Sequence, residues 1–303
     1  MTVRKIGIAG AGTMGYSMAD IFAANDYEVV LWNHREPKLE RARQMISESS
    51  RDRILYTTSM EKLSSCDLIV ENVAENLKIK TDFYDRLSEI VSDETVIATN
   101  TSGLSINTLS EHVKHRERFL GMHWFNPPTL ILLIEIIKND ETSDEAAQCV
   151  RDVALHIGKK PVIVNRDVYG FAANRLQMAV IREALSLVRD GVVSREGIDD
   201  VMKYGLGFRW ACIGPLETMD FGGLDIFYHI SEYLCPDLED SHDVPELLRE
   251  HFNKGEFGVK SGRGFYDYSG GKDAAATRER DEKLRKVYQA LYGPDETREK
   301  SGE

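Results

Sequence analysis

Lys5-Ile6-Gly7-Ile8-Ala9-Gly10-Ala11-Gly12-Thr13-Met14-Gly15 is the stretch on which the reading of this 303-residue chain turns. A short apolar run of strand character enters a Gly-x-Gly-x-x-Gly turn, and a helical pattern from Gly12 to Ala24 follows. Glycines there permit a tight turn, a close approach of backbone to an anion, and close packing of helix on strand. A diphosphate then sits at the positive end of the helix. On its own the motif would be a glycine-rich turn; the strand before it and the helix after it make a dinucleotide-binding unit. Gly10, Gly12, Thr13, Met14 and Gly15 are therefore candidate cofactor contacts.

Outward from this motif, β-rich runs alternate with amphipathic stretches to about residue 165, as in a parallel α/β domain. The expected strands are Lys5–Ala9, Glu28–Trp32, Ile54–Thr57, Leu68–Glu71, Val96–Thr99, Phe119–His123, Leu130–Ile137 and Pro161–Val164. Helices are expected at Gly12–Ala24, Pro37–Ser47, Ile79–Val91 and Asp144–Ile157. After Asp167 the β runs stop. Phe171–Asp190, Ser194–Lys203, Pro215–Leu234 and Asp243–Phe252 read as helices joined by glycine-containing turns such as Tyr204-Gly205-Leu206-Gly207, with a last helix around Thr277–Tyr292. The fold class is thus α/β: an N-terminal Rossmann-type doubly wound sheet (residues 1–167) followed by an all-α domain (168–293). Residues 294–303 are expected to form a disordered tail.

Composition narrows the function. With 42% hydrophobic and 29% charged residues the chain suits a soluble globular protein. A formal net charge of −12 argues against a nucleic-acid or anionic-membrane surface. No uncharged apolar run approaches membrane-spanning length, and the first strand begins too early to leave room for a signal peptide. Cys66, Cys149, Cys212 and Cys235 form no Cys-x-x-Cys pair or zinc spacing and read as reduced thiols of a cytoplasmic protein. His112 and His115 lack a nearby third ligand, so no metal site is expected.

The second strand ends Leu31-Trp32-Asn33-His34-Arg35. A carboxylate at this point would hold the ribose hydroxyls of NAD. Asn33 removes the repulsion against a 2′-phosphate, and Arg35 could pair with one; alternatively Arg35 is a solvated surface residue and Asn33 still bonds the ribose. NAD and NADP both remain open.

His123, in His123-Trp124-Phe125-Asn126-Pro127-Pro128, and Glu135, in the apolar run Leu130–Ile137, carry the chemistry. A carboxylate inside such a run is costly unless a charged or hydrogen-bonding group meets it. A histidine on the adjacent strand would meet it, and a His–Glu pair is a general acid–base device, since the carboxylate fixes the imidazole tautomer. Ser102 and His123 fall at carboxyl ends of expected strands, where open α/β sheets bind ligands.

These motifs, with Val70-Glu71-Asn72-Val73-Ala74-Glu75-Asn76, Asn100-Thr101-Ser102 and Gly170-Phe171-Ala172-Ala173-Asn174-Arg175-Leu176, resemble the L-3-hydroxyacyl-CoA dehydrogenase family, including its 3-hydroxybutyryl-CoA members. The resemblance runs from Lys5 to about Tyr268 and also takes in Gly214-Pro215-Leu216-Glu217 and Gly262-Arg263-Gly264-Phe265-Tyr266. It implies His123 as the base that takes the hydroxyl proton as hydride leaves the adjacent carbon, and Glu135 as its orienting partner. It implies Ser102 and Asn174 as contacts to the substrate, with Asn126 assisting. Glu75, Lys80 and Asn100 become candidate cofactor contacts, the first two near the nicotinamide end. It further implies a homodimer formed through the helical domain, with a small-molecule substrate held between domains.

Three departures qualify the substrate. CoA-using members commonly carry a helical hairpin between the second and third strands, and only about twenty residues separate Trp32 from Ile54, room for one helix and a turn. CoA would then need another basic contact, from Lys38, Arg41, Arg43, Arg51 or Arg53. Gly103 stands where many members have a second serine. Tyr204–Trp210 looks more like branches acting on small free hydroxy acids or hydroxymethyl groups (carnitine-, gulonate- and pyridine-carboxylate-type dehydrogenases), where Arg209 or Arg175 would meet a substrate carboxylate. Trp124 and Trp210 could wall a substrate pocket or simply pack. The leading expectation is NAD(P)-dependent interconversion of a short L-3-hydroxyacyl-CoA and its 3-oxo form. The same chemistry on a CoA-free hydroxy carboxylate comes second, and a non-catalytic dinucleotide-binding protein third.

Overall fold

In the computed structural model, which describes residues 2–293, the chain divides into two compact units, Met1–Arg175 and Leu176–Glu303. The expected tail at 294–303 lies outside the described residues.

The first unit is one eight-stranded sheet flanked by helices. Its strands are β1 (Lys5–Ala9), β2 (Glu28–Trp32), β3 (Ile54–Thr57), β4 (Leu68–Glu71), β5 (Val96–Thr99), β6 (Phe119–Trp124), β7 (Leu133–Lys138) and β8 (Lys160–Val164). They lie in the order β3-β2-β1-β4-β5-β6-β7-β8, so the order reverses between β1 and β4. Helices α1 (Thr13–Ala24), α2 (Glu36–Met45), α3 (Leu77–Leu87), α4 (Ile106–Ser110) and α5 (Asp144–His156) connect them, and α6 (Ala173–Arg189) starts at the end of this unit. The two sheet faces bury separate cores. Ile6, Ile8, Leu31, Leu120 and Ile136 pack under α1, α2 and α5, while Ile69, Ile97, Phe119 and Ile137 pack under α3 and α4.

One pairing departs from the parallel domain expected. β7 runs antiparallel to β6, because the link at 125–132 falls short of the dozen or so residues a parallel crossover needs. The apolar run from Leu130 becomes a strand only at Leu133. Its first residues fold into a turn in which Leu130 and Ile131 N–H both donate to the Pro127 carbonyl at 3.0 Å. The reversal brings the start of β7 to the edge where β1, β2, β4, β5 and β6 end, and sets His123 directly opposite Glu135 in register.

The second unit is helical: the rest of α6, then α7 (Arg195–Val201), α8 (Gly207–Cys212), α9 (Pro215–Gly222), α10 (Leu224–Leu234), α11 (Glu246–Asn253) and α12 (Lys272–Tyr292). Two expectations are corrected. Tyr204-Gly205-Leu206-Gly207 is no turn: Met202–Leu206 forms a π-helical bulge that carries α7 into α8. The single helix expected over Pro215–Leu234 breaks at Gly223, whose φ of 90° suits glycine. Two isolated bridges, Gly258 with Arg263 and Arg263 with Asp267, add the β character found after α11. No helix among the described residues is long and apolar enough to cross a membrane.

Candidate active site

The carboxyl edge of the sheet gathers most of the residues singled out above. At β1, Gly10 adopts φ 118°, and a Cβ there would stand 2.3 Å from the Asn72 carbonyl oxygen. At Gly15 a Cβ would meet the Gly10 carbonyl oxygen at 1.8 Å, whereas beside Gly12 the space is open for 4 Å. No side chain caps the N-terminus of α1 and its first turn holds no acid. Open space, uncapped N–H groups and a positive helix end fit a dinucleotide diphosphate. Thr13 is exposed there, and Met14 is half-buried against the core.

At the end of β2, the Asn33 Oδ1 accepts the Arg35 N–H at 3.0 Å, forming a tight turn into α2. Arg35 is exposed, with no ion-pair partner among the described residues. Between α2 and β3 there is only a 3-10 turn, Glu48–Arg53, so the helical hairpin common in CoA-using members is absent. Three of the five basic residues considered for CoA are occupied locally: Arg53 pairs with Asp26 at 2.9 Å, Arg51 Nε donates to the Ile46 carbonyl at 3.2 Å, and Arg43 lies over the Tyr56 ring at 5.5 Å.

His123 and Glu135 meet as expected. Nδ1 of His123 lies 2.9 Å from Oε2 of Glu135, and both residues are at most 3% exposed. The other carboxylate oxygen accepts the N–H groups of Ala172 and Ala173, each at 2.9 Å, at the start of α6. Burial, the largest influence on this carboxyl, pushes its pKa up. The hydrogen bonds from His123, Ala173 and Ala172 and the attraction of His123 outweigh that and hold it below its ordinary value. The chain aims these N–H groups through two successive left-handed residues, Gly170 (φ 74°) and Phe171 (φ 51°). That conformation is costly for phenylalanine. Phe171 keeps it while 1% exposed, with its ring edge-on to the imidazole at 5.5 Å. The Phe125 ring covers the imidazole from 4.4 Å.

Ser102 is exposed just beyond β5, and its carbonyl accepts Nδ2 of Asn174 at 3.0 Å. It does not cap α4; Ser105 does, accepting the Thr108 N–H at 3.1 Å. Glu75 Oε1 accepts the Thr101 hydroxyl at 2.5 Å and the Ser102 N–H at 3.0 Å, and Lys80 stands 3.2 Å from its other oxygen. Burial raises the Glu75 pKa most, but these donors and the Lys80 charge bring it below the ordinary carboxylate value. Asn100 ties strand ends together: Nδ2 donates to Asn72 Oδ1 and Oδ1 accepts the Trp124 N–H, both at 2.8 Å. Asn126 is exposed on the turn after β6. Arg209 lies in the second unit, on α8. Trp124 packs in the core against Phe22, with ring centroids 5.7 Å apart.

Sequence reasoning passed over several residues here. Glu71 is a second fully buried carboxylate, and the signal that exposed Glu135, an acid closing an apolar strand, was present in Leu68-Ile69-Val70-Glu71. Lys159 is buried with its ammonium donating to the Pro128 and Ile131 carbonyls of the β6–β7 turn and lying 5.2 Å over the Trp124 ring. Burial pulls its pKa down to about 8. No sequence pattern marks it. Among the described residues no group of three His, Cys, Asp or Glu side chains could hold a metal ion.

The family model for the NAD-binding domain of 3-hydroxyacyl-CoA dehydrogenase matches residues 5–168, and that for the C-terminal domain matches 170–268. The chain belongs to the 3-hydroxyacyl-CoA dehydrogenase family. It is similar to 5-formyl-3-hydroxy-2-methylpyridine 4-carboxylate 5-dehydrogenase of Mesorhizobium japonicum, at 37% identity over 96% of this chain and 99% of that one. A probable 3-hydroxybutyryl-CoA dehydrogenase of Deinococcus radiodurans is 37% identical over 87% of this chain and 100% of its own. The crystal structure of a 5-formyl-3-hydroxy-2-methylpyridine 4-carboxylic acid 5-dehydrogenase, described as an NAD+ dependent dismutase, superposes with a TM-score of 0.92. It is 36% identical and covers 97% of this chain, which in turn covers 100% of that chain. Like the family, this protein is an NAD(P)-dependent oxidoreductase acting on hydroxyl groups.

Two variants test the pair. His123→Gln lowers turnover by about a hundredfold or more while cofactor affinity is retained; undiminished turnover removes His123 as the base. Glu135→Gln lowers turnover and shifts the pH–rate profile, and an unchanged profile reduces Glu135 to a structural role. Because the folded state holds this carboxyl below its ordinary 4.5, its stabilisation is complete above about pH 4.5 and lost as the pH falls through the lowered value. The melting temperatures of the parent and Glu135→Gln therefore differ most near neutrality and converge in stronger acid.

Proposed function

We propose that this protein oxidises, reversibly, the hydroxyl of a small CoA-free hydroxy or hydroxymethyl carboxylate, with His123 and Glu135 as the acid–base pair. The observation that carries the substrate class is the segment between β2 and β3. It lacks the helical hairpin, and Arg43, Arg51 and Arg53 are engaged in local structure. The extent of structural likeness to the pyridine-carboxylate enzyme supports the same reading. A thioester substrate remains the second reading, favoured by the Deinococcus radiodurans relative at the same identity.

When bound, the nicotinamide supplies the two-electron acceptor. The rest of the work falls to the chain. With Nδ1 held by Glu135, Nε2 of His123 is left to take the hydroxyl proton as the carbon is oxidised and to return it in reduction. Glu135 stabilises the imidazolium that forms, and the Ala172 and Ala173 N–H groups keep it from turning away. The Ser102 hydroxyl contacts the reacting oxygen, and Asn174, tied to the Ser102 carbonyl, holds that loop in place. A carboxylate on the substrate would be met by Arg175. An aldehyde substrate fits the same chemistry through its hydrate, whose carbon bears a hydroxyl and a hydrogen.

A homodimer is part of this reading. Among described residues 176–293, Thr218 is the one buried side chain, while Phe208, Phe221, Tyr228 and Tyr233 are each more than 60% exposed. A helical unit of this size without a core of its own needs a partner surface, and a second copy supplies one symmetrically.

Initial rates with hydroxymethyl- and formyl-pyridine carboxylates, short free hydroxy acids, and acetoacetyl- and L-3-hydroxybutyryl-CoA, each with NAD(H) and NADP(H), test the substrate. Turnover on a free carboxylate at least about tenfold above the thioesters is expected; the reverse order establishes the thioester reading. Sedimentation at micromolar concentration should give twice the 34.3 kDa chain mass; a monomer contradicts the dimer.

A further inference from the structure

Glu71 ends β4 and is 0% exposed, and none of the roles assigned above uses it. Its carboxylate accepts from the Val73 N–H (2.6 Å), Lys80 Nζ (2.6 and 2.8 Å), the Tyr84 hydroxyl (2.7 Å) and the Thr99 hydroxyl (2.8 Å). Every partner is a donor, the pattern a carboxylate requires. Burial, then the Glu71 charge, holds the Tyr84 hydroxyl well above the ordinary phenol value, so it remains a donor.

Lys80, 1% exposed, is shared between Glu71 at 2.6 Å and Glu75 at 3.2 Å. The three groups alternate in sign and sum to one negative charge. Were Lys80 paired with Glu75 alone, the sum would be zero. A second carboxylate is costly to bury, and neutralising Lys80 does not require it.

This excess charge lies on the side of the sheet where the redox ring belongs. The diphosphate cradle at Gly10–Gly15 sits at the β1–β4 reversal, and a dinucleotide spans the sheet edge across that point. The reacting base stands on β6, so the nicotinamide half falls on the β4–β6 side. Glu71 pairs in register with Thr99, and Thr99 with Gly121, two residues before His123. Glu75, at the far end of the charge array, has a side chain 47% exposed and accepts the Ser102 N–H. An oxidised nicotinamide ring is a cation and a reduced one is neutral, so a net negative charge here separates the two forms.

We propose that Glu71 is a positioning residue that sets the redox preference of the bound cofactor: by taking up the Lys80 charge it leaves Glu75 negative beside the nicotinamide and favours the oxidised form. This rests on the dehydrogenase reading of the site but not on the identity of the substrate. A purely structural Glu71 would change thermal stability and weaken both cofactor forms alike.

The test is titration of NAD+ and NADH into the parent, Glu71→Gln, Lys80→Gln, the double variant and Tyr84→Phe, without substrate. Glu71→Gln should weaken NAD+ relative to NADH by about tenfold, the order expected of one charge at partly buried range. Lys80→Gln should move the ratio the other way. The double variant, left with the Glu75 charge, should return to the parent ratio, and Tyr84→Phe, which removes a hydrogen bond without a charge, should leave it unmoved. An unchanged ratio in both single variants, or an equal loss of both forms, overturns the proposal. If Glu71→Gln does not fold, Lys80→Gln and the double variant carry the comparison. A shifted ratio in a protein that turns over none of the proposed carboxylates would reject the substrate reading and keep this one.

Discussion

A carboxylate buried at 1% exposure, Glu135, must be compensated wherever the chain folds, and its compensation ties the first unit together. One oxygen engages the imidazole of β6 and the other two N–H groups at the start of α6. Removing one partner of such a buried pair typically costs about 3–5 kcal/mol. The register of β7 on β6, the left-handed Gly170–Phe171 step and the entry of α6 are thus tied together by one group. The same constraint leaves His123 in one orientation with Nδ1 occupied. The local structure and the orientation of the imidazole rest on the same three hydrogen bonds.

Glu71 repeats the logic three strands away on the same sheet face. Its network passes through Lys80 to Glu75 and from there to Thr101 and Ser102. Between the two carboxylates lie Thr99 and Thr101, so the carboxyl edge on this face is a row of hydrogen-bonded polar groups over an apolar core of Ile69, Ile97, Phe119 and Ile137. Such rows are stable only when each member is satisfied, and the contacts given for Glu71, Glu75 and Glu135 meet that condition. Ser102 and Asn126 stand exposed at the same edge.

The division of labour explains why family membership and substrate separate. The glycine turn after β1, His123 and Glu135 belong to strands and a helix start that the sheet itself fixes. The β2–β3 segment, on which the proposed substrate class rests, is a surface connection outside that framework.

Much of this was legible in the sequence. The glycine motif after a strand, the strand ends at Trp32, Glu71 and Thr99, and the His123–Glu135 pair follow from local pattern, because apolar periodicity and a costly buried acid are properties of the residues themselves. The short β2–β3 segment could likewise be counted. What the sequence left open needed three dimensions. The direction of β7 depends on how the 125–132 link turns. Lys159 is chosen by two carbonyls that a turn aims at it. The partners of Glu135 in α6 come from residues 37 and 38 positions away along the chain. Sequence alone determined that an acid inside the Leu130–Ile137 run must be compensated, since the apolar pattern and the cost of a charge within it are local. Tertiary structure decided which partners compensate them, because hydrogen bonds depend on where backbone and side chains converge.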